Sequence, residues 1–154
     1  MERASDAQSR VFAVRTDSGA LRRSAKGSIT GALFLEIEGR AFPEPDWNDF
    51  PVVVLAWWIR AALVLQRTNA PASCLFMDGP FEWRVSLAGP GAWAVTLLDR
   101  HDAVRVVLSA CVDADVILGA LAAAADSLLR ACNEQSWSSV DIEELRSARE
   151  ALRH

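Results

Sequence analysis

Positive charge is thin in this chain of 154 residues: sixteen lysines and arginines stand against twenty acids, for a formal net charge of -4 and a pI near 5.2. A phosphate backbone rewards dense basic patches, so this balance excludes nucleic-acid binding. Cysteine is scarce too. Cys74, Cys111 and Cys132 are an odd set without the close paired spacing of a zinc site; two sit in apolar surroundings and read as buried free thiols. The only interior histidine, His101, lies between Asp99 and Asp102 in a turn, with no other converging partner, and reads as an exposed turn residue; His154 ends the sequence. No serine has the glycine spacing of a nucleophile elbow, and no cysteine is tied by spacing to a catalytic histidine, so nucleophilic catalysis lacks support. Glu44, Asp46 and Asp49 lack the glycine and terminal glutamate of a calcium loop. No Walker or dinucleotide spacing accompanies Gly19, Gly27 and the basic cluster Arg22, Arg23 and Lys26, which read as solvated loop. The expectation is therefore a non-enzyme without cofactor or metal. The N-terminal MERASDAQSR has no apolar core of the kind a secretory signal needs, which predicts a cytoplasmic, reducing environment and a flexible segment over residues 1–9.

What is present is apolar. With 51% hydrophobic residues, positions 10–154 have the makings of one α+β domain with its own core. Its centre is the run from Phe42 to Arg67, a polar loop punctuated by proline that opens into the most apolar stretch of the chain. A buried helix is predicted over 50–67, with Asp49 as its cap, Pro51 in its first turn, and Leu55 and Ile59 inaccessible. Arg60 and Arg67 mark its least buried face together with Val53, Ala56 and Val64. The run falls short of the roughly 18 apolar residues of a membrane span, and Arg60 stands in its middle. Trp57 and Trp58 lie about 100° apart on the helix, so one points inward and the other to the margin. Core packing accounts for both, and a partner site formed by one exposed tryptophan, with Trp58 as the candidate, is the sharper reading.

Around this helix the alternating patterns predict strands over 10–15, 29–37, 74–77, 81–87, 92–98 and 103–112. Short turns join the last four into an antiparallel meander in which Trp83 and Trp93 are taken as cross-strand neighbours. A helix over 114–133 follows, capped by Asp113, with the stripe Ile117, Leu121, Ala124, Leu128 and Cys132. A last helix opens on a capping box of Ser138 and Asp141, its stripe being Ile142, Leu145, Ala148 and Leu152, and Arg149, Arg153 and His154 suit the dipole at its end. The order is ββαββββαα, an α+β domain: an antiparallel sheet of about six strands with three helices packed mainly on one face.

Two segments, Phe42-Pro43-x-Pro45-x-Trp47-x-Asp49-Phe50 and Phe76-Met77-Asp78-Gly79-Pro80-Phe81, resemble recurring signatures of small bacterial proteins. Over roughly residues 28 to 153 the chain is similar in layout to immunity proteins of polymorphic toxin systems. The preference for arginine, with Lys26 the only lysine, matches a high-GC bacterial genome. The resemblance implies a small, acidic, cytoplasmic α+β domain that blocks a toxin by binding it, and it maps no functional residue. The partner expected is a protein, a basic toxin domain, with no nucleic acid and no membrane. Glu44, Asp46, Trp47 and Trp58 are the candidate partner-binding residues: two prolines stiffen the loop that carries the first three, which lowers the entropy lost on binding. Trp47 has a second reading, as a lid folded back on the core beside Phe50. The alternative function is a homo-oligomeric structural or interaction protein, a homodimer in its simplest form, and a small-molecule-binding or hydrolytic enzyme ranks third.

Overall fold

The helix from Pro51 to Thr68 joins the two halves of the fold, seen in a computed structural model that describes residues 12–152. The expectations for residues 1–9, for Arg10 and Val11, and for Arg153 and His154 lie outside the described residues.

Before the central helix come β1 (Phe12–Thr16), a 3-10 turn (Ser18–Ala20), β2 (Arg22–Arg23), β3 (Ile29–Ile37), β4 (Arg40–Phe42) and β5 (Asn48–Asp49). All four other strands pair antiparallel with β3, whose Leu35, Glu36 and Ile37 have partners in both β1 and β4. Along β3 every second residue is buried, as its alternation predicts: Leu33, Leu35 and Ile37 face the core. Gly31 lies on the same buried face, where a Cβ would stand 2.7 Å from a Leu21 methyl, so a side chain there would displace Leu21 from its packing.

The central helix, α1 (Pro51–Thr68), leads into β6 (Ala72–Leu75), β7 (Phe81–Gly89), β8 (Ala92–Asp99) and β9 (Arg105–Asp113), a second antiparallel sheet in the order β6-β7-β8-β9. Then follow α2 (Ala114–Glu134) and α3 (Val140–Ala151). The α+β class holds, as does the order ββαββββαα of the longer elements. The strands, however, form two sheets, because the loop and helix between β5 and β6 carry the chain away from β3. The sheets meet where the Phe12 and Trp83 rings lie 5.5 Å apart. Residues along α1 pack on β3, β6 and β7 and on both other helices. That is why the helix is buried almost all round: ten of its side chains are inaccessible, Leu55 and Ile59 among them, and each large one contributes about 1.5 to 3 kcal/mol by leaving water.

Several local expectations are corrected. Phe50 occupies the N-cap position of α1, and Asp113 at the start of α2 makes no side-chain capping bond. The α3 cap is Ser139, one residue later than expected, its hydroxyl accepting the Ile142 N–H. Trp83 stands opposite Leu97, and Trp93 opposite Leu87, so the two indoles are not cross-strand neighbours. Trp83 instead packs edge-on against Trp58, centroids 5.4 Å apart. Leu87, expected on the dry face, is 49% exposed at the outer end of β7.

Candidate functional site

The polar loop before α1 is held by one carboxylate. Asp49 is buried, and its two oxygens accept four N–H groups from two segments: Trp47 Nε1 at 3.0 Å and the Phe50 amide at 2.8 Å on its own stretch, and the Met77 and Asp78 amides at 3.3 and 3.2 Å. A buried charge needs such partners, and charge-assisted bonds of this kind are about twice as strong as neutral ones. With both oxygens taken up by donors, Asp49 is not available to a cation. Among the described residues no group of three or more His, Cys, Asp or Glu side chains is placed to hold a metal ion.

The tip of this loop is a tight turn. The Trp47 amide donates to the Glu44 carbonyl at 3.3 Å, Pro45 occupies the second position, and Asp46 in the third has φ +60°. That is the pattern of a type II turn, which prefers glycine where Asp46 sits. The Trp47 carbonyl then accepts the Leu33 amide at 2.8 Å, fastening the turn to the first sheet. Glu44 and Asp46 are exposed and make no ion pair among the described residues.

Trp47 is half-buried. Its ring stands edge-on against Phe81 at 5.3 Å and approaches to 3.1 Å the place a Cβ would take on Gly79, whose φ is +74°. Gly79 is thus required both by its backbone conformation and by the indole above it. The reading of Trp47 as a lid is the one its contacts describe, with the Phe81 ring against it, and the residue remains partly exposed.

Beside the lid opens a cleft of about 280 Å³ lined by Leu75, Phe76, Gly79, Pro80, Phe81, Glu82 and Arg100. Its floor rests on a chain of edge-on aromatics: Phe42 lies 5.8 Å from Phe76 and 5.7 Å from Phe81, and Trp58 lies 5.0 Å from Phe76. Trp58, assigned from sequence to the partner surface, has 0% of its area exposed and donates its indole N–H to the Leu75 carbonyl at 2.7 Å. Its position on α1 faces the second sheet, so it supports the cleft from below. The marginal member of the pair is Trp57, 43% exposed over a groove between α1 and α3 that Val53, Arg60, Asp141 and Glu144 also line.

The far wall is ionic. Glu82 is buried on a strand face that the second sheet turns away from the helices; its carboxylate accepts Arg84 Nε at 2.8 Å and Arg100 Nη1 at 2.6 Å. Burial works against the charge, but the hydrogen bonds and nearby charges of both guanidinium groups outweigh it and hold the Glu82 carboxyl below the usual carboxylate range. Each guanidinium is half in solvent. The Arg100 amide donates to the Pro80 carbonyl at 2.9 Å, joining this wall to the 76–80 loop. Alternation along β7 was the available signal for Glu82 and Arg84, which share a face two residues apart; nothing in the local sequence pointed to Arg100.

The remaining candidates do not line this cleft. His101 is an exposed turn residue whose amide donates to Asp99 Oδ1 at 2.9 Å. Arg23 sits 6.0 Å from the Trp137 ring centroid and donates to the Ser138 carbonyl, so one member of the basic loop cluster ties that loop to the start of α3. Of the three thiols, Cys74 and Cys132 are buried and Cys111 is exposed. Burial raises the pKa of both buried thiols.

No family model, curated protein or solved structure matches this chain. No helix among the described residues is long and apolar enough to cross a membrane. The site combines an apolar cleft edged by the exposed Leu75, with Glu82 and Arg100 on its wall, and beside it a fastened turn that carries the exposed Glu44 and Asp46.

Proposed function

We propose that the chain is a non-enzymatic protein-binding domain of the immunity type, which neutralises a bacterial toxin in the cytoplasm by direct binding, and that the cleft beside Trp47 is where it engages the toxin. The observation that carries this reading is the pair Glu44 and Asp46, exposed and without ion-pair partners among the described residues, on a turn whose backbone and neighbouring indole are all fastened. A surface already ordered loses little entropy on binding, and unpaired acids on it favour a basic segment of the partner. The chain's net charge of -4 favours the same kind of partner at long range.

The test uses a toxin domain encoded beside the gene for this chain. Co-expression should restore growth to cells that make the toxin, and the purified pair should associate at a rate that falls steeply with salt, since exposed charges are screened within about 8 Å at physiological ionic strength. Asp46→Gly removes one acid while giving the turn the residue its backbone conformation prefers, so it should weaken binding about tenfold with no loss of melting temperature. Absence of protection, or a rate indifferent to both salt and Asp46→Gly, overturns the reading.

A further inference from the structure

Among the described residues β9 has a neighbour on one side only. Half of the backbone N–H and C=O groups of a nine-residue strand therefore face outward along an open edge. Proteins guard such edges with charges, proline, bulges, short strands or a covering element. The opposite edge of the same sheet, β6, has two of these devices: it is four residues long, and it follows Pro71 directly. β9 has little. From Val106 to Val112 it holds no charged residue and no proline, Val106 is 57% exposed, and Val104 just before it is 61% exposed. Its one irregularity is a register shift that leaves Val107 without a partner in β8. Beyond it, Leu108 to Asp113 pair without interruption.

We propose that this edge is closed by a second copy of the chain, β9 pairing antiparallel with β9 so that two four-stranded sheets become one of eight. The strand is built to accept its own image. Arg105, exposed although its guanidinium also donates to Asp99 of its own chain at 2.9 Å, opens it and Asp113 ends it, so the register centred on position 109 brings the cationic start of one copy to the anionic end of the other. The uncharged stretch between them brings no like charges face to face, although the whole chain is acidic. Leu108 to Asp113 pair regularly with β8, and Ser109 and Cys111 are exposed on the outer face of that stretch. This contact is independent of the cleft beside Trp47, and either can stand without the other.

Pairing about a two-fold axis with the faces in register centres on position 109, 110 or 111. These set 109 against 109, 109 against 111, or 111 against 111 across the join. Directly opposed residues lie about 4.5 to 5.5 Å apart, within reach of a disulfide. A Ser109→Cys protein that keeps Cys111 should therefore form a covalent dimer under mild oxidation, and peptide mapping should identify which positions are linked. Ser73→Cys, on the β6 edge, is the control and should gain no link beyond what the protein with only its own cysteines shows. Without oxidant, sedimentation should show a monomer–dimer equilibrium, and Ser109→Lys, an exposed change that leaves the monomer folded, should raise the dimer dissociation constant about tenfold. A protein that stays monomeric at every accessible concentration overturns the proposal. So does a dimer indifferent to Ser109→Lys, or a β9 whose amides resist deuterium exchange equally at all dilutions, which would mean that its own chain covers the edge.

Discussion

At the scale of single residues, Trp47 shows how a side chain near the proposed partner surface can serve the fold first. Its indole rests on Phe81 and donates to Asp49, so truncation removes an aromatic contact and leaves one oxygen of a buried carboxylate short of a donor. Trp47→Ala should cost about 2 to 3 kcal/mol, less than the 3 to 5 kcal/mol of a fully buried aromatic, because the ring is only half covered. Thermal melting checks this, and an unchanged midpoint would mean that the ring is not the lid its contacts describe. Asp46 one position earlier tolerates the opposite treatment, since its backbone conformation is the one in which a side chain is least welcome. Charge and stability thus separate within a single turn.

Among the elements, the second sheet carries an acid-sensitive wall. Glu82 has its carboxyl lowered in the folded chain, so its contribution is complete above the unfolded carboxyl pKa of about 4.3 and is lost as pH falls through the lower folded value. Glu82→Gln should cost about 2 kcal/mol at neutral pH: hydrogen bonds to a charged group contribute about 1.5 to 3 kcal/mol, and here both guanidinium groups stand half in solvent. The same variant should flatten the decline of stability below about pH 4, measured by urea unfolding across that range, because a glutamine has no proton to gain. An equal acid slope in both proteins would remove Glu82 from the account.

Elements were also what the sequence made most legible. The alternation of Leu33, Leu35 and Ile37 and the apolar run of α1 are periodic signals tied to burial, and both appear in the structure with nearly the expected bounds. Asp49 was recognisable as an acid beside a helix start, yet its carboxylate turns out to bind the Met77 and Asp78 amides, 28 and 29 residues away, which no local pattern encodes. Trp57 and Trp58 illustrate the same limit: adjacency requires that they diverge, but which one is buried depends on where β6 and β7 lie. The loop acids Glu44 and Asp46 were visible as exposed charge, whereas Arg100 reaches the cleft only through the pairing of β7 with β8.

For the molecule as a whole, α1 decides how the parts depend on one another. Because the helix packs on both sheets and on α2 and α3, neither sheet keeps a core of its own once α1 leaves. Unfolding should accordingly be a single transition, with far-ultraviolet dichroism and tryptophan fluorescence giving coincident midpoints in denaturant. Two separated midpoints would show that one sheet survives alone.

The edge-on pair Trp58 and Trp83 adds a consequence of another kind, because their two indole protons are held in different ways. The Trp58 proton is bound to the Leu75 carbonyl at the back of the cleft. The buried Trp83 N–H has no hydrogen-bond partner among the described residues, which costs the fold about 1 to 3 kcal/mol. In heavy water the first proton is released when the 75–80 segment lifts, whereas the second waits for the aromatic centre of the protein to part. Two resonances a few ångströms from each other therefore clock two different events, the breathing of a surface and the opening of a core.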